Sequence, residues 1–384
     1  MTDNVKGFRD IENASKRIAI RNIIENVFKL YGFIPVETPV IEYEDFVKGE
    51  NADDEAVSDI FKLQDRGKRK LALRYEFTFQ LKRLAKNKKL PYKVYNIGSV
   101  FRDEPVTGNR WRQFTQCDAD IIGVGLKDVG EILKLSSEIL QKLGVKFIIN
   151  INNRKLLNEI LDSIGVKEKN KEEVIREIDK LDKLSEAEVR RNLKKYNAEG
   201  MISIFKKPEK YFEKFESYKD IQELKKICSF YKIKVNFSPF LSRGLSYYNW
   251  IVFEIKGEMK ETITAGGSYL VNGIQASGIS FGLDRLELIS KIGDDIKRVL
   301  VISLGQDKKA VEFADEIRNN KIPCEVFYGK PGKALDYANS NNIPLVVFVG
   351  DEEVKKKKFK LKNMNTGKEK LVGEKSLIKV LKEI

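Results

Sequence analysis

Apolar residues near the start of the chain recur at the spacing of an α-helix. A shared helical face carries Ile20, Ile24, Val27, Phe28 and Tyr31, and the pattern ends at Gly32. Residues 33–37 then read as a strand. Further strand-like segments cover 71–74, 94–102, 113–122, 251–255 and 261–265. The pattern predicts an α+β fold in which a largely antiparallel sheet is flanked by helices.

Two later segments differ from the rest of the chain in composition and in the pattern of their apolar residues. Residues 153–230 are rich in lysine and glutamate, with one helical face formed by Val174, Ile175, Ile178 and Leu181. Ser185 and Glu188 form a capping box that opens a further helix, so this segment reads as a helical insertion. After Arg298, apolar strands alternate with helical stretches. This alternation indicates a small α/β unit with a mainly parallel sheet.

The composition narrows the class of protein. At 384 residues the chain exceeds one ordinary core and should divide into two or three units. A net charge of +14 suits a polyanionic partner, although lysine-rich chains also arise for reasons unrelated to binding. Three isolated cysteines predict reduced thiols in a cytoplasmic protein. No apolar run approaches the length of a membrane span, and the charged start lacks a signal-peptide core.

The sequence contains no histidine, which excludes several mechanisms. Residues 278–282 match the G-x-S-x-G pattern of hydrolases, yet a Ser-His-Asp triad needs an imidazole. A zinc site with histidine ligands is impossible for the same reason, and three scattered cysteines are a poor substitute. We therefore predict no metal ligands from the protein itself.

The stretch 101–120, FRDEPVTGNRWRQFTQCDAD, concentrates charged and aromatic side chains. Arg102, at the end of a strand, can bind a phosphate with its planar fork of donors, and Arg110 beyond the turn can bind outer phosphates. Phe114, two residues after Arg112, can stack on a base. An exposed hairpin whose charges are only solvated is the alternative.

The order of the motifs resembles a known family. F-R-x-E, a loop, R-x-R-x-F and then Q-C-D-x-D resemble the second signature of class II aminoacyl-tRNA synthetases, and specifically that of the histidyl-tRNA synthetases. Residues 241–248, LSRGLSYY, are similar to that family's histidine-site peptide R-G-L-D-Y-Y. Residues 265–269, AGGSY, and 278–286, GISFGLDRL, resemble its glycine-rich strand and the third class II signature. The helix and strand before Pro39 resemble the first signature, whose proline lies at the dimer interface; ordinary packing is the alternative for this proline.

The resemblance implies a reaction and a domain plan. The chain would activate histidine with ATP to histidyl-adenylate and transfer it to the 3′ end of tRNA(His), as a homodimer. Residues 1–152 and 231–290 would form the class II catalytic domain, and 153–230 an insertion that contacts the acceptor stem; a solvated helical pair is the alternative. Residues 298–384 resemble an anticodon-binding α/β domain. There, Lys355–Lys358 are either phosphate contacts or a solubility device.

The resemblance also assigns roles to side chains. For ATP it implies Arg102 at the α-phosphate, Arg110 at the outer phosphates, Phe114 under adenine, Arg285 over the opposite face and Glu104 in the same site, with Mg²⁺ on the outer phosphates. Arg243 would lie beside the α-phosphate, so that Arg102 and Arg243 are the catalytic pair. For histidine it implies Glu76 at the α-ammonium with Thr78 and Gln116 alongside, Asp120 and Tyr248 at the ring nitrogens, and Arg243, Tyr247 and Tyr269 lining the pocket. For each tyrosine, ordinary core packing is the alternative.

Three positions depart from the commonest family pattern. Ser246, Ser268 and Leu270 replace an aspartate, an arginine and an aspartate. A rival reading is a regulatory paralogue, because this fold also serves as an allosteric subunit of ATP phosphoribosyltransferase in histidine biosynthesis. Such proteins usually lack the C-terminal domain and the arginines, which are present here. A third reading, an RNA-binding module without catalysis, would leave the set of Glu76, Gln116 and Tyr248 without a purpose.

Overall fold

The computed structural model describes residues 3–49, 59–106, 108, 110–182, 184–243, 247–258, 262–293 and 298–383. The chain folds as two compact units, residues 1–292 and 293–384. Within the described ranges, no helix combines the length and the apolar character needed to cross a membrane.

A large mixed sheet is the centre of the first unit. The strands of this unit, in chain order, are β1 (Ile34–Pro35), β2 (Ile41–Tyr43), β3 (Lys62–Gln64), β4 (Lys70–Leu73), β5 (Tyr92–Phe101), β6 (Gln113–Ile122), β7 (Phe147–Asn153), β8 (Val235–Phe237), β9 (Tyr248–Gly257), β10 (Thr262–Val271) and β11 (Ile274–Gly282). Eight of them form one sheet in the order β1-β5-β6-β11-β10-β9-β7-β8. The inner pairs are antiparallel, whereas β1 and β8 pair in parallel with their neighbours. The predicted α+β fold with a largely antiparallel sheet is confirmed.

Helices surround this sheet, and most of them pack on one face. They are α1 (Ser15–Leu30), α2 (Glu44–Lys48), α3 (Leu81–Leu84), α4 (Leu126–Lys142), α5 (Arg154–Ser163), α6 (Lys171–Asp179), α7 (Glu186–Leu193), α8 (Met201–Phe205), α9 (Tyr218–Phe230) and α10 (Leu283–Ile289). The main core lies on that face, with Phe28 of α1, Leu133 of α4 and Ile121 of β6 fully buried. Burial of each such side chain contributes about 1.5–3 kcal/mol, so this face anchors the sheet. On the opposite face, Leu81 of α3 belongs to a smaller core with Val94 and Val252.

Most predicted elements of this unit are present. Helix α1 carries the expected apolar face and ends before Gly32, whose φ of +80° suits glycine. Strand β6 has the predicted bounds, whereas the predicted strand 33–37 is reduced to the two residues of β1. Strand β10 begins at Thr262, and Glu261, its expected first residue, lies outside the described residues.

The expected strand at 71–74 does not join the main sheet. Strand β4 instead pairs with β2 and β3 in a separate three-stranded sheet. Strand β4 cannot pair with β5, the next strand along the chain, because both edges of β5 are already paired, with β1 on one side and β6 on the other. The sequence pattern identified the strand correctly but assigned it to the wrong sheet.

The segment between β7 and β8 is helical, as the pattern predicted. Its face of Val174, Ile175 and Ile178 is buried. The hydroxyl of Ser185 accepts from the backbone N–H of Glu188, whose carboxylate accepts from the N–H of Ser185, so the predicted capping box opens α7. The exact boundaries of the three proposed domains stay predictions.

The second unit contains a five-stranded sheet. Its elements are β12 (Val299–Ser303), α11 (Asp307–Asn319), β13 (Cys324–Tyr328), α12 (Pro331–Ser340), β14 (Leu345–Val349), α13 (Asp351–Lys356), β15 (Lys358–Asn363), β16 (Glu369–Gly373) and α14 (Leu377–Glu383). Strands β13, β12 and β14 are parallel, as predicted from their apolar runs, and β15 and β16 extend the sheet antiparallel. Strand β15 alternates three lysines with other residues, and β16 begins with Glu369 and Lys370, so neither has the continuous apolar run of the other three strands.

Candidate active site

The polar face of β6 is the floor of the candidate site. Strand alternation sends Cys117, Ala119 and Ile121 into the main core, and it places Gln116, Asp118 and Asp120 together on the opposite face. All three polar residues are buried. The Q-C-D-A-D motif therefore presents an amide and two carboxyl groups on one side of the sheet.

Two glycines leave room for this arrangement. Gly278 of β11 pairs directly with Asp120, and a Cβ at position 278 would overlap the carboxylate of Asp120. A Cβ at Gly267 of β10 would lie 2.8 Å from the ring of Tyr248. Both glycines are needed for close packing rather than for an unusual backbone angle.

Glu76, Tyr247 and Tyr269 line a pocket beside this floor, and Tyr248 packs against Tyr247. A cavity of about 200 Å³ is lined by Glu76, Thr78, Tyr247 and Tyr269 among others. The hydroxyl of Tyr247 donates to Glu76 at 3.4 Å, and that of Tyr269 donates to Asp120. The ring of Tyr248 lies 4.8 Å from that of Tyr247. The predicted histidine-site residues Glu76, Tyr247, Tyr248, Tyr269 and Asp120 are thus linked by contacts, and Thr78 lines the same cavity.

Burial controls the ionisation of this pocket. It raises the pKa of Asp120 to about 7, although the hydrogen bond from Tyr269 opposes the shift. Burial and the neighbouring Asp120 raise the pKa of Asp118 well above its usual value. Burial likewise raises the pKa of the Tyr247 and Tyr269 phenols, with added repulsion from Glu76 and Asp120 respectively. The phenols are therefore neutral donors, and Asp120 can hold or release a proton near neutral pH.

Gln116 is held by residues from the neighbouring strand. Its side-chain nitrogen donates to the hydroxyl of Ser280 on β11 at 2.6 Å, and that hydroxyl donates to Asp118 at 2.6 Å. The amide oxygen of Gln116 is buried and has no hydrogen-bond partner among the described residues. A buried acceptor without a donor is costly, which makes it a candidate ligand contact.

The first group of arginines surrounds Glu104 in the loop after β5. Arg102 and Arg110 each place a guanidinium nitrogen 3.8 Å from the carboxylate of Glu104. The guanidinium of Arg102 also lies over the ring of Phe114, 5.2 Å from its centroid. Residues predicted for the phosphates and for adenine are therefore neighbours.

The second group surrounds Glu254 on β9. Arg243, in the left-handed conformation with φ of 61°, approaches Glu254 to 3.5 Å, and its Nε is buried without a partner among the described residues. The hydroxyl of Thr262 donates to Glu254, and Arg285 donates to the backbone carbonyl of Thr262. Arg243 and Arg285 are thus both tied to the β9–β10 pair.

The helical segment 153–230 supports the loop that carries Arg243. Arg154 of α5, which is buried, donates to the carbonyls of Ser242 at 3.0 Å and Arg243 at 3.4 Å. Its other terminal nitrogen pairs with Glu172 of α6 at 2.7 Å. The hydroxyl of Ser242 donates to Asp179, at the end of the same helix. Helix α6 is therefore connected to the predicted catalytic arginine through Arg154 and Ser242.

Sequence reasoning missed several of these contacts. Glu254 interrupts the apolar run 251–255, and a lone charge in a buried strand is a usable signal. Strand periodicity places Asp118 on the same face as Gln116 and Asp120, which is a signal for a role in the site, yet the motifs assign it none. Ser246 lies outside the described residues, so its effect stays open; Ser268 is buried against Ser277 at 3.5 Å, and Leu270 is half exposed.

Family models match most of the chain. One described as "Histidyl-tRNA synthetase" matches residues 7–286, and one described as "Anticodon binding domain" matches residues 298–384. The chain belongs to the histidyl-tRNA synthetase family. The family is one of aminoacyl-tRNA ligases, so the resemblance carried by the sequence motifs is confirmed.

Curated relatives align with nearly the full length of this chain. The chain is 34% identical, over an alignment of 414 positions with gaps counted, to Histidine–tRNA ligase 2 of Shouchella clausii, covering 96% of this chain and 97% of that protein. It is 34% identical, over an alignment of 421 positions, to Histidine–tRNA ligase 1 of Bacillus anthracis, covering 97% of this chain and 98% of that protein.

Solved structures share the fold. A histidyl-tRNA synthetase from Nostoc sp. PCC 7120 superposes with a TM-score of 0.86 at 22% identity and covers 99% of both chains. A Bacillus halodurans protein titled ATP phosphoribosyltransferase regulatory subunit/histidyl-tRNA synthetase has a TM-score of 0.76 at 22% identity, covering 89% of this chain and 96% of that one. At these identities the likeness concerns the fold alone.

Proposed function

We propose that the chain activates histidine with ATP to form histidyl-adenylate and transfers the histidyl group to the 3′ end of tRNA(His). The observation that carries this proposal is the cluster of Glu76, Asp120 and three tyrosines, of which Glu76, Tyr247 and Tyr269 line the cavity. It offers a carboxylate for an ammonium group, and a carboxyl–phenol pair for the two nitrogens of an imidazole ring. Such a pocket rejects analogues without ring nitrogens, because its own buried polar groups would then lose their partners.

The two arginine groups suit the activation step. The carboxylate of histidine attacks the α-phosphate of ATP, a new oxygen–phosphorus bond forms, and pyrophosphate leaves. Arg102 and Arg243 would hold the carboxylate and the α-phosphate and stabilise the negative charge that grows in the transition state. Arg110 would bind the outer phosphates, while Phe114 and Arg285 would enclose the adenine.

Magnesium is part of the proposal through ATP. Mg²⁺ usually binds nucleotides with one or two protein carboxylates, and Glu104 lies between Arg102 and Arg110, where the phosphates would bind. Among the described residues there is no cluster of three or more acidic or sulfur ligands that could hold a metal alone. The ion would neutralise phosphate charge, and the residues named above would orient the reactants.

The partners follow from the same proposal. The second unit would bind the anticodon arm of tRNA(His), and the segment 153–230 its acceptor stem. We further propose a homodimer joined through the first signature near Pro39, and a cytoplasmic location. The basic net charge of +14 supports binding of a polyanion without identifying it.

A regulatory role is the second candidate, because one structural neighbour carries a regulatory-subunit title. One feature argues against it here. Arg102, Arg110, Arg243 and Arg285 are all present. A regulator does not need these proposed phosphate-binding arginines.

Histidine-dependent exchange of pyrophosphate into ATP tests the proposal directly. The purified chain should catalyse exchange with histidine and with none of the other amino acids. Arg243→Ala should lose at least a hundredfold in rate, whereas Arg66→Ala, an exposed arginine in a turn, serves as the matched control. Folded protein that shows no exchange with any amino acid would refute the proposal and favour the regulatory role.

A further inference from the structure

The cross-strand neighbours of Gln116 cannot support its side chain. Gly98 on β5 and Gly282 on β11 pair directly with Gln116, and neither has a side chain. Ser280, two residues along β11 and directly opposite Asp118, reaches the amide diagonally. The hydroxyl of Thr264 donates to the carbonyl of Ser280 at 2.5 Å, which fixes this part of β11.

The hydrogen bonds in this group run in one direction, from Gln116 through Ser280 to Asp118. Oδ1 of Asp118 accepts from the hydroxyl of Ser280, and because the raised pKa of Asp118 lets this carboxyl carry a proton, that proton belongs on Oδ2. The oxygen of Ser280 then has lone pairs left and accepts from its second partner. Only the nitrogen of the Gln116 amide can donate to it. The opposite orientation of the amide would bring its oxygen against the oxygen of Ser280. Asp118 therefore determines, through Ser280, which end of the Gln116 amide points away from β11.

We infer that Asp118 and Ser280 are positioning residues that present the amide oxygen of Gln116, rather than its nitrogen, to the α-ammonium group of the bound amino acid. This inference rests on the proposed function. The amide oxygen is buried and has no partner in the part of the chain that the structure describes, so it is the acceptor that an ammonium group would satisfy. With the amide reversed, its two N–H donors would face a group that has only donors, and binding would weaken.

Loss of the Gln116 orientation should affect the binding of histidine and leave the binding of ATP unchanged. A reversed or mobile amide affects the amino acid but leaves the arginines around Glu104 and Glu254 in place. Loss of one hydrogen bond to a charged group corresponds to about a tenfold change in affinity. The expected result of breaking the Asp118–Ser280 pair is thus a higher KM for histidine at an unchanged KM for ATP.

The test measures both KM values in pyrophosphate exchange, together with histidine binding by calorimetry without ATP. Ser280→Ala and Asp118→Ala should each raise the histidine KM and Kd about tenfold, with the ATP KM within twofold. The double variant should be no worse than either single variant, because both act through the same amide. Asp118→Asn, whose side-chain oxygen can still accept from Ser280, should recover most of the loss. Ser277→Ala, a buried serine on the same strand, is the control for general damage to β11.

Several outcomes would overturn the inference. A normal histidine KM in Ser280→Ala, equal increases for both substrates, or additive effects in the double variant would each do so. Ser280→Ala removes a single oxygen atom, so it decides the question even if Asp118→Ala fails to fold. Wild-type protein without histidine-dependent exchange would instead refute the proposed function, and this result is distinct from exchange that all variants retain unchanged.

Discussion

A buried arginine joins three elements of the first unit, and its removal should weaken the fold measurably. Arg17 of α1, only 7% exposed, donates to Asp284 of α10 at 3.0 Å, to Glu287 at 2.7 Å and to the hydroxyl of Thr115 on β6 at 3.3 Å. Burial alone would raise the pKa of Asp284, but the bonds from Arg17 and from the N–H of Thr115 outweigh it and lower that pKa. Arg17→Met keeps much of the side-chain volume and removes the cation, so two carboxylates lose their shared partner.

The magnitude follows from the burial of this group. Removing one partner of a buried ion pair typically costs about 3–5 kcal/mol. We expect about 3 kcal/mol here, because Asp284 keeps the N–H of Thr115 at 3.0 Å and Arg9 at 3.0 Å, and the Glu287 side chain is 22% exposed. For a denaturant slope of about 3 kcal/mol/M, the urea midpoint should fall by roughly 1 M.

Tryptophan fluorescence during urea unfolding measures this effect, since both tryptophans, Trp111 and Trp250, belong to the first unit. Arg21→Met, an exposed arginine on the same helix, is the control. The contribution of Asp284 is present above its unfolded pKa of about 4 and is lost as the pH falls through its lower folded pKa. The difference in urea midpoint between Arg17→Met and the wild type should therefore become smaller below about pH 4. Equal midpoints for Arg17→Met and Arg21→Met would refute the reasoning.

Two further predictions concern the pocket and the Arg243 loop. Because burial raises the pKa of Asp120 to about 7, its contribution to stability is full below about pH 4 and is lost as the pH rises through 7, on the order of 4 kcal/mol. Asp120→Asn should lack this dependence, so its melting temperature relative to wild type should be higher at pH 8 than at pH 5; an equal difference at both values would contradict the assignment. Arg154→Met should lower the rate of histidine-dependent exchange about tenfold or more, because the carbonyls of Ser242 and Arg243 lose their donor. Exposed Arg191→Met is the matched control, and equal rates for both variants would count against this coupling.

The elements were largely predictable because hydrophobic periodicity depends on local burial. Strand β6 has the predicted bounds, and from Gln116 to Ile121 its polar and apolar residues alternate. Strand pairing is not encoded in that pattern. Strand β4 was therefore recognised as a strand and assigned to the wrong sheet, and β15 and β16 were missed.

The candidate site shows the same division. Its arginines, tyrosines and acidic residues could be named from motif order, and the structure brings many of them into contact. The supporting contacts depend on register between distant strands and helices. Ser280 reaches Gln116 only because β11 pairs with β6. Arg17 forms an ion pair with Asp284, which lies 267 residues further along the chain. A single sequence contains no record of these pairings.

The pocket offers its polar atoms from carboxyl groups, phenols and an amide, and the chain as a whole contains no imidazole. In a complex with histidine, the ligand would therefore carry the only imidazole ring in the sample. With nitrogen-labelled histidine as the ligand, its ring nitrogens could be followed by magnetic resonance without any imidazole nitrogen signal from the protein. The protonation state and tautomer of the bound ring, and the nitrogen facing Asp120, would be directly observable at each pH.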